Sequence, residues 1–283
     1  MELRRVSDEQ RTFFEDNGYL IVRKALSPNM VTRVTTAADV LMDSFEFEGY
    51  YQHRRDGIIS DLVLTELATQ HPTISLVIQL LGTHIHITNT ALIYKHPQPA
   101  DDLGNCTWHR DVGVHLDIGH GELPRVGLKM GYCLTDMAGP STGATIFAPG
   151  SNLLTEPLVI PKGQIHPEGY LEPELKAGDA FLFESRIYHG AAINTGKQVT
   201  KIAMFGYHYS WVRPDYYLNY YDGEPQPNTQ VLESLDDIGR QLLRAPVDSK
   251  GREAPNGIDW PIAEWAEEEG LGLGRSPQWI GAE

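Results

Sequence analysis

Two rhythms of apolar positions run along this chain, one helical and one strand-like, and the strand rhythm dominates its middle. Ser7-Asp8-Glu9-Gln10 carries a hydroxyl at a helix cap and an amide three residues later, so each can satisfy an orphan backbone N–H. A short helix follows and stops at Asn17-Gly18, and Tyr19 to Val22 predicts a strand. Ser27-Pro28 opens a second helix, with proline at the first position, where no N–H is needed. Met30, Val34, Ala37 and Val40 continue it at helical spacing. Residues 45–60 are aromatic, charged and glycine-bearing and read as a loop or lid. Ser60 to Leu81 reads as a helix, and His84 to Tyr94, alternating and β-branched, as a strand.

Strands and turns then take over. Lys129 to Asp136 predicts a strand, Gly143 to Ser151 a second that closes on Pro149-Gly150, and Ala180 to Phe183 a third after the Gly178-Asp179 turn. Thr200 to Tyr209 is a further strand. After Pro214 the character changes: Val231 to Leu243 reads as a helix with Leu232, Leu235, Ile238 and Leu242 on one face. The last forty residues, rich in Gly, Pro and Trp, are expected to wrap the surface or complete a dimer contact. Periodicity alone supports a mixed α+β chain with many strands.

Composition narrows the class. At 283 residues, length alone allows one or two domains; a barrel often fills this length as one, and a single domain spanning 1–283 is expected. Its parts are N-terminal helices and lid over about 1–80, a core over about 84–214 and an extension over 215–283. No apolar run approaches a membrane span, and MELRRVSDEQ lacks the apolar centre of a signal peptide, so the expected location is the cytoplasm. Two cysteines, Cys106 and Cys133, make no disulfide framework, and Cys106 reads as a small packing residue. A formal net charge of −15 argues against nucleic acid and anionic membranes. Glu267-Glu268-Glu269 reads as a solvated helix face. A small-molecule substrate is the expected partner, and the chain is a monomer or a homodimer.

The candidate chemistry lies in Trp108-His109-Arg110-Asp111 and in Tyr188-His189-Gly190. On a strand or at its exit, residues i and i+2 point to one side, so His109 and Asp111 can converge on one ion. His189 lies 78 residues beyond Asp111 and belongs to another strand. Two histidines and one carboxylate form the set that holds Fe(II) by one face and leaves the opposite positions open for a co-substrate and O2. By itself a His-x-Asp pair is a weak signal in a chain with 11 histidines. His84, His86, His115, His120 and His208 read as satisfied polar residues, with His208 a candidate to line the pocket.

Together, LIYKHP, WHRD, LKMGYCLTDM, TGATIFAPGSN and LKAGDAFLFESRIYHG resemble, in this order, the phytanoyl-CoA dioxygenase family of non-haem Fe(II)- and 2-oxoglutarate-dependent oxygenases. The resemblance runs from about residue 8 to 214 and includes the opening Phe13 to Val22. It implies a mainly β, α+β fold: a double-stranded β-helix, or jelly roll, with flanking helices and the metal at one mouth. It also implies Fe(II) on His109, Asp111 and His189, with 2-oxoglutarate and O2 as co-substrates. Oxidation of a substrate C–H would release succinate and CO2. The Asp at the third ligand position implies hydroxylation-type outcomes rather than halogenation, since halogenating relatives carry a small residue there.

At one position the chain departs from the family. Relatives carry an Arg for the far carboxylate of 2-oxoglutarate eleven positions after the distal histidine; here that position is Thr200, followed by Lys201. Either a local shift lets Lys201 serve, or another cation (Arg110, Lys95, Lys129 or Arg125) reaches the carboxylate, or 2-oxoglutarate is not used. The resemblance further implies co-substrate contacts from Thr200, Thr145, Asn89, Thr90 and Tyr94. For the substrate, the candidates are Tyr50, Tyr51, Arg110, Trp211 and His208. Phe45, Phe47, Tyr216, Tyr217, Tyr220 and Tyr221 are further possible aromatic walls, and Arg54 and Arg55 are possible carboxylate partners. These suit a medium-sized, partly apolar molecule of natural-product biosynthesis. The rival readings are an iron enzyme independent of 2-oxoglutarate and a non-catalytic jelly-roll binding protein.

Overall fold

A computed structural model of the chain describes residues 3–44, 46–102, 107–111, 124–215, 218, 229–245 and 261–271. Helix α1, Asp8–Asn17, starts at the expected box: Ser7 Oγ accepts from Gln10 N and the Gln10 amide oxygen from Ser7 N. It ends at Gly18 in the left-handed region, φ 79°. Strand β1, Tyr19–Val22, follows, then α2, Pro28–Asp43, capped by Ser27.

The reading of Ser60 to Leu81 as one helix is corrected. The structure has α3, Leu62–Thr69, and α4, His71–Leu81, with Gln70 extended between them. Pro72 forces the break, because its ring lacks an N–H and would collide with the preceding turn of a continuous helix. Likewise Val231 to Leu243 is two helices. These are α5, Thr229–Ser234, and α6, Asp237–Leu242, the latter restarted where Asp236 accepts from Gly239 N. The segment read as a loop or lid also contains a strand, β2, Tyr51–Arg54.

The remaining strands are β3 Ile85–Lys95, β4 Gly127–Cys133, β5 Thr145–Phe147, β6 Ala180–Glu184, β7 His189–Ala191 and β8 Thr200–Tyr209. Six pair antiparallel in the order β1-β6-β4-β8-β3-β2, while β5 and β7 form a second ladder. Single bridges extend that ladder: Leu171 pairs with Phe147, and His109 with His189.

Both faces of the large sheet are covered, and β8 alternates between them. On β8, Ala203, Phe205 and Tyr207 join the core under the helices, with Leu64, Leu67, Val77 and Val34. Ile202 and Met204 point the other way, to an interior shared with Phe147 of β5, Phe181 and Phe183. This two-sided burial explains why β8 reads as a near-continuous apolar run. The second face, enclosed between the two ladders, holds the site. A last helix, α7, Pro261–Glu268, lies against α6 through the buried Ile262 and Ala266, while Glu267, Glu268 and Glu269 are exposed. The rest of the C-terminal stretch lies outside the described residues.

Candidate metal centre

His109 and His189 are joined by a pair of backbone hydrogen bonds, His109 N to His189 O at 3.0 Å and His189 N to His109 O at 2.9 Å. Residues paired this way in an antiparallel ladder send their side chains to the same face. Their rings accordingly lie 4.3 Å apart, centroid to centroid. Asp111, two residues on, brings Oδ1 to 4.0 Å from His109 Nε2 and 3.8 Å from His189 Nε2. One ligand atom from each of the three lies within 4.8 Å of the others.

Both imidazoles are oriented from behind. His189 Nδ1 bonds to Ile187 O at 3.1 Å and His109 Nδ1 lies 3.4 Å from Thr107 O. A Nδ1–H donating to a carbonyl leaves the Nε2 lone pair for a metal. Phe183 packs against the His189 ring, 4.5 Å between centroids. Burial pushes the His189 imidazole down to about 4, partly offset by the Asp111 charge, so it is neutral at pH 7. Burial opposes the Asp111 charge, but Lys129 and the two histidines outweigh it and hold this carboxyl far below the usual range. Lys129 Nζ donates to Asp111 Oδ1 at 2.6 Å. The other oxygen, Oδ2, is buried and accepts no hydrogen bond from the described groups. Two imidazoles beside an ionised carboxylate with a spare buried oxygen fit a divalent cation.

These residues line a cavity of about 530 Å³ with Thr145, Asn89, Thr90, Arg110, Tyr51 and His208 among its walls. Asn89 lies flat across β8 because Gly206 opposite it has no side chain; a Cβ there would sit 2.3 Å from Asn89 Oδ1. Thr90 Oγ1 donates to Arg55 O at 2.7 Å. His208 Nδ1 is 2.5 Å from Thr88 Oγ1. Burial, with Lys129 nearby, pushes His208 down to about 4. Arg110 borders the cavity, but its guanidinium donates to Ser151 O and Leu154 O, both at 2.7 Å, and lies over the Tyr188 ring.

Several expected contacts fall elsewhere. Lys201 does not face the cavity. It pairs with Tyr94 on the helix side of the sheet, where its Nζ and the Tyr94 hydroxyl both bind Asp39 Oδ1 at 2.6 Å. No local shift rescues it, because β8 runs in unbroken register with β3 from Asn89 to Lys95. Tyr94 is therefore excluded with it. Arg125 is held by Glu15 and by the fully buried Glu184. Tyr50 is not among the described cavity walls, and Trp211 is 68 % exposed, stacked on Tyr209. Phe47 stacks on His96, and Arg54 is turned to Leu41 O and Ser44. Of the two histidines at Ile85's flanks, His84 bonds to Ser210 and His86 to Val212 O. Phe45, Cys106, His115, His120, Tyr216, Tyr217, Tyr220 and Tyr221 lie outside the described residues.

Sequence reasoning missed His53, Arg213 and Asp215, which also line the cavity. The signal for the first was present: Tyr51 and His53 share one strand face at a spacing of two.

A family model described as phytanoyl-CoA dioxygenase (PhyH) matches residues 14–203, about two thirds of the chain. The chain belongs to this family. Among solved structures, the epimerase SnoN, in complex with Fe3+, alpha-ketoglutarate and nogalamycin RO, is 18 % identical. The match covers 78 % of this chain and 92 % of that one, with a TM-score of 0.60. HygX from Streptomyces hygroscopicus, with nickel and 2-oxoglutarate bound, is 15 % identical over 74 % and 90 %, with a TM-score of 0.59. The carbocyclase SnoK from nogalamycin biosynthesis is 19 % identical over 74 % and 87 %, with a TM-score of 0.55. At these identities the likeness establishes the fold, a double-stranded β-helix. No curated protein sequence gives a significant match. Among the described residues, no helix is long and apolar enough to cross a membrane.

Proposed function

We propose that this member of the phytanoyl-CoA dioxygenase family is a non-haem Fe(II)- and 2-oxoglutarate-dependent oxygenase that oxidises a C–H bond of a small organic molecule. The observation that carries this reading is the convergence of His109, Asp111 and His189 at the wall of one cavity, with Asp111 Oδ2 buried and lacking a donor among the described residues. Bound iron, with 2-oxoglutarate and O2, supplies the oxidising power, and succinate and CO2 leave.

The chain's own residues supply the setting. Carbonyls of Thr107 and Ile187 fix the two imidazoles, and Lys129 fixes the carboxylate and keeps it charged. Beyond the metal, Tyr51, His53, Arg55, His208 and Arg213 face the space left for substrate. Arg55 and Arg213 are exposed, as guanidiniums at a cavity mouth would be, and favour a substrate bearing an anionic or strongly polar group. This revises the expected partly apolar substrate, because among the described walls only Tyr51 supplies a six-membered aromatic ring. A role in natural-product biosynthesis is consistent with the epimerase and carbocyclase named above, both nogalamycin enzymes.

The test is 2-oxoglutarate-dependent O2 uptake and succinate formation by the iron-loaded protein. Both should vanish in His109→Ala, along with stoichiometric iron binding. Turnover surviving that substitution would refute the ligand assignment, and iron-dependent O2 uptake indifferent to 2-oxoglutarate would favour the 2-oxoglutarate-independent reading.

A further inference from the structure

We propose that Lys95 anchors the far carboxylate of 2-oxoglutarate, taking over from the neighbouring strand the task that relatives give to an Arg at the position of Thr200. This rests on the function proposed above. In the β3–β8 ladder Lys95 is the direct partner of Thr200. Directly opposed residues share a face, with Cβ atoms roughly 5 Å apart. A cation moved from one member of such a pair to the other stays in the same part of the interior. Lys95 is 4 % exposed and Thr200 1 %, and Lys95 lines the same cavity as the three metal-binding candidates.

The local packing makes room for a lysine stem and not for a long side chain from residue 200. Gly143 closes over both residues: a Cβ there would lie 3.1 Å from Thr200 Cβ and 3.3 Å from Lys95 Cδ. Thr200 Oγ1 is turned to Thr142 O at 2.5 Å, so its side chain completes the wall. Lys95 Nζ donates to Gly143 O at 2.6 Å and to Ala144 O at 3.2 Å, which fixes the ammonium beside Thr145.

The depth is also right. On the short ladder His189 pairs with Phe147 and Ala191 with Thr145, so Thr145 sits two strand residues from the metal end. Two residues span roughly 7 Å, about the full length of an extended five-carbon diacid from outermost oxygen to outermost oxygen. The other described cations suit the task less well. Lys129 is bound to Asp111 at the chelating end, Arg110 is turned to the Ser151 carbonyl, and Arg55 and Arg213 are exposed. A buried ammonium attracts a carboxylate more strongly than an exposed guanidinium does, because water does not compete.

The experiment titrates two keto acids into the anaerobic Fe(II) protein and follows the visible metal-to-ligand band that bidentate chelation produces. One is 2-oxoglutarate; the other, pyruvate, chelates identically but has no far carboxylate. In Lys95→Met the Kd for 2-oxoglutarate should rise roughly 10- to 100-fold, the range for losing a charged hydrogen bond. The Kd for pyruvate should stay within about threefold of wild type, since nothing it touches has changed. Lys95→Arg, which keeps the charge, should retain most of the preference for 2-oxoglutarate. Equal weakening of both acids would show a merely structural lysine and overturn the proposal, as would unchanged 2-oxoglutarate binding. If Lys95→Met fails to fold, equal weakening of both acids in Lys95→Arg would count against it. A wild-type protein that binds iron but gives no band with either acid would overturn the co-substrate reading itself.

Discussion

Replacing Lys129 by Met tests whether Asp111 belongs to a cation site. Lys129 Nζ lies 2.6 Å from Asp111 Oδ1, and the two side chains are only 17 % and 12 % exposed. Met keeps the apolar stem and deletes the charge, which leaves a buried carboxylate without its ammonium partner. Stripping one partner from a fully buried pair costs about 3–5 kcal/mol. The residual access of water to both groups lowers this to about 2 kcal/mol. For a chain of this size that is a fall in Tm of roughly 4–8 °C. A divalent cation on His109, Asp111 and His189 restores a positive partner, so in its presence the deficit should shrink to about 2 °C or less. The assay is thermal melting of both proteins at one scan rate, first in chelator and then in saturating Mn(II). An equal gap with and without metal would refute the reasoning, because Asp111 would then not be the group shared by Lys129 and the metal. No gap in chelator would refute the buried pair.

Three further outcomes follow from the packing. His86 is pushed down to about 3 by burial and by Arg244, and His208 to about 4 by burial and Lys129, against 6.5 for a free imidazole. Below pH 6.5 the unfolded chain therefore binds more protons than the folded one, and stability should fall steadily as pH drops from 6.5 toward 4. Urea midpoints that stay flat over that window would contradict it. Glu184 is fully buried between Arg125 and Arg186, so Glu184→Gln should lower unfolding free energy by about 2–4 kcal/mol; a loss under about 0.5 kcal/mol would show the network to be dispensable. Gly127→Ala would place a Cβ 2.1 Å from His208 Cδ2 and should destabilise by about 1–3 kcal/mol, with the His208 ring resonances shifted; unchanged stability and resonances would show that the strands part freely there.

How far the sequence could be read depends on whether a residue's task is local. The metal-binding candidates were legible because His109 and Asp111 converge through a spacing of two, a property of the strand itself. The long strands were legible because β-branched and aromatic runs have few other uses. Strand β2 was read as a loop or lid because polar residues occupy both of its faces. Tyr51 and His53 look into the cavity, while Gln52, 5 % exposed, donates to Met42 O at the end of α2. No apolar alternation marks such a strand. The breaks at Gln70 and Asp236 were missed for a different reason: the apolar face continues across each break. Pro72 and the capping Asp236 were the signals available, and each was outweighed by the period.

The co-substrate anchor shows where reading along one strand stops working. A motif marks a position on a strand, but a ligand meets a position in space, and in a β-sheet two residues from different strands share each such position. Counting eleven residues from His189 correctly reaches the interior wall at Thr200 and finds no cation. Moving one residue along the chain to Lys201 reverses the face and ends at Asp39 of α2. Moving across the ladder instead, to Lys95, preserves both face and depth. The alternation that disqualifies Lys201 is therefore the same physical fact that qualifies Lys95. A departure from a family motif on a strand should send the search to the register partner before the next residue, and the pairing Lys95 with Thr200 is where that rule makes its claim.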